Sequence, residues 1–442
     1  MKALTNIILF SLFLILILDS ISCKFLSSKS LSDEEEDVIT TIKSDDEKAL
    51  RDAILILWKF GGIIYIDTPV INIKTQTSLA IQGSFSGGII GVQQPNGEYP
   101  ILNFKEQRDG ATLLYIAGLK VNASNKIIKN IIVENAGTVG ISISGQKNTI
   151  DHVITRYNGQ SGIYLSPQSD SNILNYCYSY RNFHFLQNSL PADGFTVEIG
   201  GFNNEFNYCF AWDNSQNGFG YNYWDGKNKN GALTYSHSAS WNNGNIDVFS
   251  GRYDFDNGKA LDKNLWTIQQ ILKSDPDFED NYKYKIFDLD DATINSKPAI
   301  EYFSEYDEKN VDANGFNFGH EKSEPNPSNL RTVHYCVAFQ NKFKGFNSNK
   351  SQKFTGYFTN SVSFNNNMNY DLPYSFVSWT NNWSWGAKEE DQFDLEVETK
   401  TPTNVSSERR KFISVRDQII KAVYANTFPD KINFDKTIKS LK

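Results

Sequence analysis

The chain has 442 residues, a net charge of -8, 40% hydrophobic and 14% aromatic content, with 31 Phe and 22 Tyr. That aromatic load can bury a large core and excludes disorder for the bulk, and a pI near 5.3 excludes a strongly basic nucleic-acid binder. The 47 asparagines, more than one residue in ten, need a physical explanation, and the length admits either two or three domains or one long solenoid.

At the N-terminus, Lys2 precedes an apolar run from Ile7 to Leu18 and then Ser20-Ile21-Ser22-Cys23, the pattern of a secretory signal peptide over residues 1–22. The run is short for a membrane span and no later stretch reaches about 18 apolar residues, so a secreted, extracellular chain without a span is expected. Sequons at Asn122, Asn349, Asn382 and Asn404 are compatible with that route. Residues 23–43 read as an acidic, Ser-rich leader. Ser44-Asp45-Asp46-Glu47 has the spacing of a capping box, and Ala49, Leu50, Ala53, Ile54 and Leu57 give the predicted helix one apolar face, stopped by Gly61-Gly62. Ile63-Ile64-Tyr65-Ile66 follows as a strand. A helix feeding directly into such strands can plug the open end of a β-stack.

Beyond residue 120 a six-residue unit closed by Asn recurs. Its copies are Asn130–Asn135, Val153–Asn158, Cys177–Asn182, Cys209–Asn214, Ser238–Asn243, Cys336–Asn341 and Ser361–Asn366. The closing asparagines lie 23, 24, 32, 29, 98 and 25 residues apart. A second element recurs with the first: Val139-Gly140-Ile141, Ser161-Gly162-Ile163, Asp193-Gly194-Phe195, Asn217-Gly218-Phe219, Asn314-Gly315-Phe316 and Lys344-Gly345-Phe346. Two linked elements at one period mean a solenoid. About 24 residues at roughly 3.3 Å each suit three short strands and three turns, stacked about 4.8 Å apart as a parallel β-helix. Asparagine tolerates left-handed backbone angles, and its amides can stack as a ladder in successive coils. Cys177, Cys209 and Cys336 share one position of the unit and read as buried thiols rather than a disulfide framework.

The gap of 98 residues holds an insertion over 253–312 with 15 acidic residues against 7 lysines, a net -8 equal to that of the whole chain. Within it, Leu265–Leu272 reads as a helix and Tyr282–Asp288 as a strand. The β-helix is assigned to residues 44–388. The extension 389–442 is partly helical around Ser414–Tyr424, a segment placed to cover the far end.

Leu190-Pro191-Ala192-Asp193-Gly194-Phe195, the Cys209-to-Gly218 unit, Asn314-Gly315-Phe316 and Lys344-Gly345-Phe346-Asn347-Ser348-Asn349 occur in the order seen in polysaccharide lyase family nine. The chain resembles these pectate-lyase-like right-handed parallel β-helices over about residues 45–385. The resemblance adds the right-handed winding, so the expected fold is an all-β solenoid: a single-stranded right-handed parallel β-helix with an N-terminal capping helix and an inserted acidic loop or subdomain. It also implies cleavage of polygalacturonate by β-elimination, using calcium and a lysine base. Asp193 matches one calcium aspartate, but Gln216-Asn217-Gly218-Phe219-Gly220 stands where the family has three more. Asn317 stands at the position of the lysine, and Glu198 reverses the sign of a common lysine. Calcium prefers six to eight oxygens, several of them anionic, so Asp193, Gln216 and Asn217 make at best a weak site. An amide cannot serve as the base.

Tyr221, Tyr223 and Trp224 crowd beside this segment and either stack on sugar rings or pack under the insertion. Asp193, Glu198, Asp213 and Asp225 on neighbouring coils offer carboxylates for a glycosidase. The five histidines have no metal-ligand spacing, and no Ser-His-Asp constellation, phosphate loop or Cys-x-x-Cys pair is present. Three functions stand side by side. The first is a secreted, monomeric protein acting on or binding a pectin-like polysaccharide, with lyase activity weak, altered or lost. The second is a carboxylate glycosidase, and the third a non-catalytic structural or adhesive surface protein.

Overall fold

The computed structural model describes residues 38–109, 116–182, 192–198, 201–222, 231–244, 313–319, 330–348, 355–372, 376–387, 392–393 and 405–424, with four two-residue strands between 253 and 298. Among these residues the chain winds through three parallel sheets of 11, 10 and 10 strands. One coil shows the order: Lys126–Lys129 joins sheet 1, Ile132–Glu134 sheet 2 and Ile141–Ile143 sheet 3. The next strand, Thr149–Asp151, returns to sheet 1 directly beside Ile127–Lys129. The expected parallel β-helix is therefore present. The proposed helix Leu265–Leu272 and strand Tyr282–Asp288 lie outside the described residues.

The N-terminal helix spans Glu47–Phe60 and buries Leu50, Ala53, Ile54 and Leu57 in the core with Ile64, Ile66 and Ile81. Its N-cap is Asp46, not the expected Ser44: the short Asp46 carboxylate accepts from the Ala49 amide at 2.9 Å. Glu47 instead reaches across to the Lys74 and Thr75 amides and pairs with Arg51. The solenoid also starts earlier than residue 44. Ile39–Ile42 is the first strand of sheet 1, paired in register with Ile63–Ile66.

The asparagine excess resolves into a ladder at the exit from sheet 2. The side-chain Nδ2 of Asn158 donates to Asn182 Oδ1 at 2.9 Å, and the pattern continues through Asn214, Asn243, Asn341, Asn366 and Asn369 at 2.9–3.0 Å. Asn243 and Asn341 meet as neighbours despite the residues inserted between them. The closing asparagines do not supply the left-handed turn. The residue before each one does: Tyr157, Arg181, Asp213, Asn242, Gln340 and Asn365 have φ between 51° and 57°. Asn135, at φ 61°, belongs to that column, and Ala136 takes the ladder position, donating its amide to Asn158 Oδ1. The first repeat copy was thus set one residue early in sequence, because two asparagine-tolerant positions lie side by side.

The Gly-Phe elements are the strands of sheet 3. Their rings form an internal stack, Phe195–Phe219 at 4.9 Å, Phe219–Phe316 at 4.5 Å, Phe316–Phe346 at 5.0 Å and Phe346–Tyr370 at 5.2 Å. The preceding glycine makes room for the ladder: a Cβ on Gly315 would sit 2.9 Å from Asn341 Nδ2. The two sequence motifs are therefore one packing unit, an amide rung seated against a glycine. Cys177, Cys209 and Cys336 are buried free thiols in the core, and burial pushes the Cys336 thiol up to about 12.

The helix at the C-terminus, Val405–Tyr424, does not cover the far end. Phe412, Val415, Ile419 and Val423 pack on the outer face of sheet 2. There an external stack runs Tyr180–Trp212–Trp241–Phe339–Phe364 at 4.2–5.5 Å. Outward aromatics on five successive strands leave an apolar stripe that water would expose, and the amphipathic helix buries it.

Candidate functional site on the outer face of sheet 3

From Lys126 onward, connections from sheet 1 to sheet 2 are tight: only residues 176–177 separate Asn175 from Tyr178, and only 208–209 separate Asn207 from Phe210. The edges of sheet 3 are different. Residues 181–194 and 242–315 lead into it, while 223–232 and 318–329 lead out of it. Long connections join both edges of this sheet, and long loops are where function is usually carried.

The outer face of sheet 3 has a column of aligned positions: Lys120, Ser142, Tyr164, Thr196 and Gly220, then, one residue after the Phe219–Phe316 pair, Asn317, Asn347 and Asp371. Lys120, Ser142 and Tyr164 are half-buried, whereas Thr196, Asn317, Asn347 and Asp371 are buried. Glu198, two positions along the strand from Thr196, accepts a hydrogen bond from the Tyr164 hydroxyl at 3.1 Å. Burial and the neighbouring Glu198 carboxylate push the Tyr164 phenol up.

Asp193 stands at the start of this face with 0% exposure. Its Oδ1 accepts from both the backbone amide and the side-chain Nδ2 of Asn217, each at 3.0 Å, and its Oδ2 accepts from the Thr196 hydroxyl at 2.9 Å. Asn217 Oδ1 in turn accepts from the Asn314 amide and Nδ2 at 3.0 and 2.9 Å. This is a second, shorter ladder, and it runs the other way: its donors point to the preceding coil, those of the long ladder to the following one. The aligned donors converge on Asp193, a setting that favours an anion. Burial opposes them and wins, raising the Asp193 carboxyl to about 6.

The residues expected to hold calcium do not fit it. The Asp193 carboxylate is sealed by three donors, and Asn217 spends its oxygen on Asn314. Gly220 supplies no ligand, and a Cβ there would fall 1.8 Å from Asp193 Oδ2, so the carboxylate fills the space a side chain at 220 would use. Gln216 is half-buried in the turn, its amide donating to the Ala192 carbonyl. Among the described residues no three His, Cys, Asp or Glu side chains gather into a metal-binding group. Hard-cation binding needs more oxygens and more negative charge than this.

Other expected residues are separated by the fold. Asn317 lies on the outer face with 6% exposure, its amide oxygen accepting from the Gly319 amide at 3.4 Å. Tyr221 is no sugar platform: strand alternation turns it inward, it is 5% exposed, and the Arg331 guanidinium lies 4.7 Å from its ring centroid. Tyr223, Trp224 and Asp225 lie outside the described residues. Asp213 faces Arg181 at 3.4 Å and Asn242 at 2.6 Å, not Asp193, so the proposed carboxylate group does not assemble around it.

Sequence reasoning missed a charged pair on the same sheet, Lys344 Nζ to Asp371 Oδ2 at 2.6 Å, largely buried. The signal was available. Lys344 occupies the slot before Gly-Phe held by Asp193, Asn217 and Asn314 in earlier coils, so aligning the repeats exposes it. Sequence also missed Gly220 as the residue that gives Asp193 its space.

Comparison with known proteins agrees with this architecture. A family model described as Pel9A-like, right handed beta helix region, matches residues 33–259. Pectate lyase L of Paenibacillus polymyxa (strain SC2) is 29% identical over 230 residues, covering 48% of this chain and 48% of that protein. Pectate lyase L of Dickeya chrysanthemi is 31% identical over 103 residues, 23% of this chain and 24% of that one. The match to the first of these thus spans about half the length of that relative. The crystal structure of pectate lyase Pel9A superposes with a TM-score of 0.55 at 18% identity, covering 81% of this chain and 76% of that one, a likeness of fold. With a match over more than half of its residues and the same architecture, the chain belongs to the Pel9A-like right-handed β-helix family.

Proposed function

We propose that this is a secreted protein that engages a pectin-like polysaccharide along the outer face of sheet 3, with the family's calcium-dependent elimination weak or lost. One observation carries the location: the long connections join both edges of sheet 3, whose outer face carries a column of polar side chains. The names of the relatives supply the substrate class, pectate. Lys120 and the hydroxyls of Ser142 and Tyr164 are the half-buried groups a sugar acid would meet there. The loss of elimination rests on chemistry. Removing a proton beside a carboxylate needs a base, and the position of the base holds the Asn317 amide. Calcium, where present, offsets the substrate's negative charge, and the sealed Asp193 with Gly220 leaves it no site.

A carboxylate glycosidase is disfavoured by the same geometry, since Asp193 is consumed by three hydrogen bonds and Asp213 by Arg181. The test is to incubate the pure protein with polygalacturonate and calcium, following absorbance of the unsaturated product, and to measure co-sedimentation with the same polymer in chelator. Binding without unsaturated product is expected. Rapid calcium-dependent release of unsaturated ends would refute the loss of elimination. Absence of binding would leave the structural or adhesive alternative standing.

A further inference from the structure

Four sequons occur in the chain, and two fall on described residues with opposite surroundings. Asn122 directly follows the sheet 3 strand Leu119–Val121 and is exposed on the outer face, two residues beyond Lys120. Its Oδ1 accepts from the Ser144 hydroxyl at 2.8 Å. Its Nδ2, the atom that would carry a sugar, makes no hydrogen bond among the described residues. Asn382 is the contrary case, only 6% exposed. Its Oδ1 accepts from the Ser361 amide and its Nδ2 donates to the Phe358 carbonyl, both at 2.8 Å. It is an internal rung tying the last coils together, and an oligosaccharide on its Nδ2 would have to pass through the wall of the solenoid. Breaking both bonds in a buried setting leaves polar groups unsatisfied.

We infer that Asn122 is a site of N-linked glycosylation and that Asn382, with the same sequence signal, is excluded from it by the fold. The inference rests on the secretory part of the proposed function, because the co-reactant, a lipid-pyrophosphate-linked oligosaccharide, is found in that compartment. In the transfer, Asn122 Nδ2 bonds to the anomeric carbon as the bond from that carbon to the pyrophosphate oxygen breaks, and the amide proton leaves with the lipid diphosphate. The product stands at the N-terminal end of the face proposed to bind polysaccharide. It would bound that face on the Lys120 side, setting the N-terminal limit of the coils a ligand can follow.

The experiment is to secrete the full chain from a eukaryotic host, once with its own N-terminus and once behind an unrelated leader. Glycopeptides are then identified by mass spectrometry, and intact mass is read before and after enzymatic release of N-glycans. An occupied Asn122 and a bare Asn382 are expected. Asn122→Gln should remove the mass of one glycan and leave Tm unchanged. Asn382→Gln should lower Tm by several degrees and leave the Asn122 glycan in place. A bare Asn122 in the leader-driven chain, or a glycan on Asn382 of a chain that still melts cooperatively, would overturn the inference. If the leader-driven chain is glycosylated at Asn122 but the chain with its own N-terminus stays in the cell, the secretion reading fails and the site stands.

Discussion

Two amide ladders run along this solenoid, built from the same side chain and pointing in opposite directions. The long one, Asn158 to Asn369, is neutral throughout and ends on the Ser384 hydroxyl and the Trp385 carbonyl. The short one, Asn314 to Asn217, ends on a carboxylate, Asp193. The contrast separates what holds the coils together from what the family's chemistry has left behind. In the long ladder every donor meets a neutral acceptor. In the short ladder the donors meet a charge that burial penalises, so its terminal rung is the place where pH and substitution should be felt.

Breaking the long ladder should cost most. Asn243→Ala removes the acceptor of the Asn214 amide and Nδ2 and a donor to Asn341, at the point where the chain closes around 97 intervening residues. With several buried partners left unsatisfied at about 1–3 kcal/mol each, we expect a loss on the order of 4 kcal/mol in chemical denaturation. A loss under about 1 kcal/mol would mean the ladder is not a principal tie between coils.

Asp193→Asn comes next. The Asp193 carboxyl is raised from 3.8 to about 6, so the folded state holds its proton more tightly than the unfolded chain. Stability from this group is therefore full below about pH 4 and is lost as pH rises through about 6, amounting to about 3 kcal/mol at about 1.4 kcal/mol per unit. Asparagine would continue the ladder without the charge. Denaturation across pH 4–7 should show a steeper fall in stability in the wild type than in the variant, in which the raised carboxyl of buried Asp213 still titrates. Equal slopes would place the titration elsewhere.

Gly220→Ala follows, with an expected cost of about 1–3 kcal/mol from the clash between its Cβ and Asp193 Oδ2. A neutral result would show that Asp193 can move aside, and so could move toward a ligand. The smallest effect is expected from Asn317→Lys. It restores a base at the outer face without restoring calcium, and should leave unsaturated-product release from polygalacturonate near background.

Much of this was legible in the sequence because a solenoid repeats its constraints. The Gly-Phe copies marked sheet 3, and the closing asparagines marked the long ladder across the insertion. Legibility failed where two neighbouring positions accept the same residue, as at Asn135 and Ala136, since left-handed corners and ladder rungs both favour asparagine. It failed at Tyr221 because strand alternation, not aromatic clustering, decides which side faces out. It also failed for the helix Val405–Tyr424, whose apolar stripe says that it is covered but not by which sheet. At the candidate site, sequence could show missing aspartates at Gln216, Asn217 and Gly220. It could not show that Asp193 turns into the gap above Gly220 and becomes a rung.

That last placement is the centre of the account, and calorimetric titration of calcium into the pure protein tests it most directly. No saturable heat and no shift in Tm at millimolar calcium are expected, in the wild type and in Asp193→Asn alike. Saturable calcium binding in the wild type that disappears in Asp193→Asn would contradict it, and would make Asp193 a metal ligand after all.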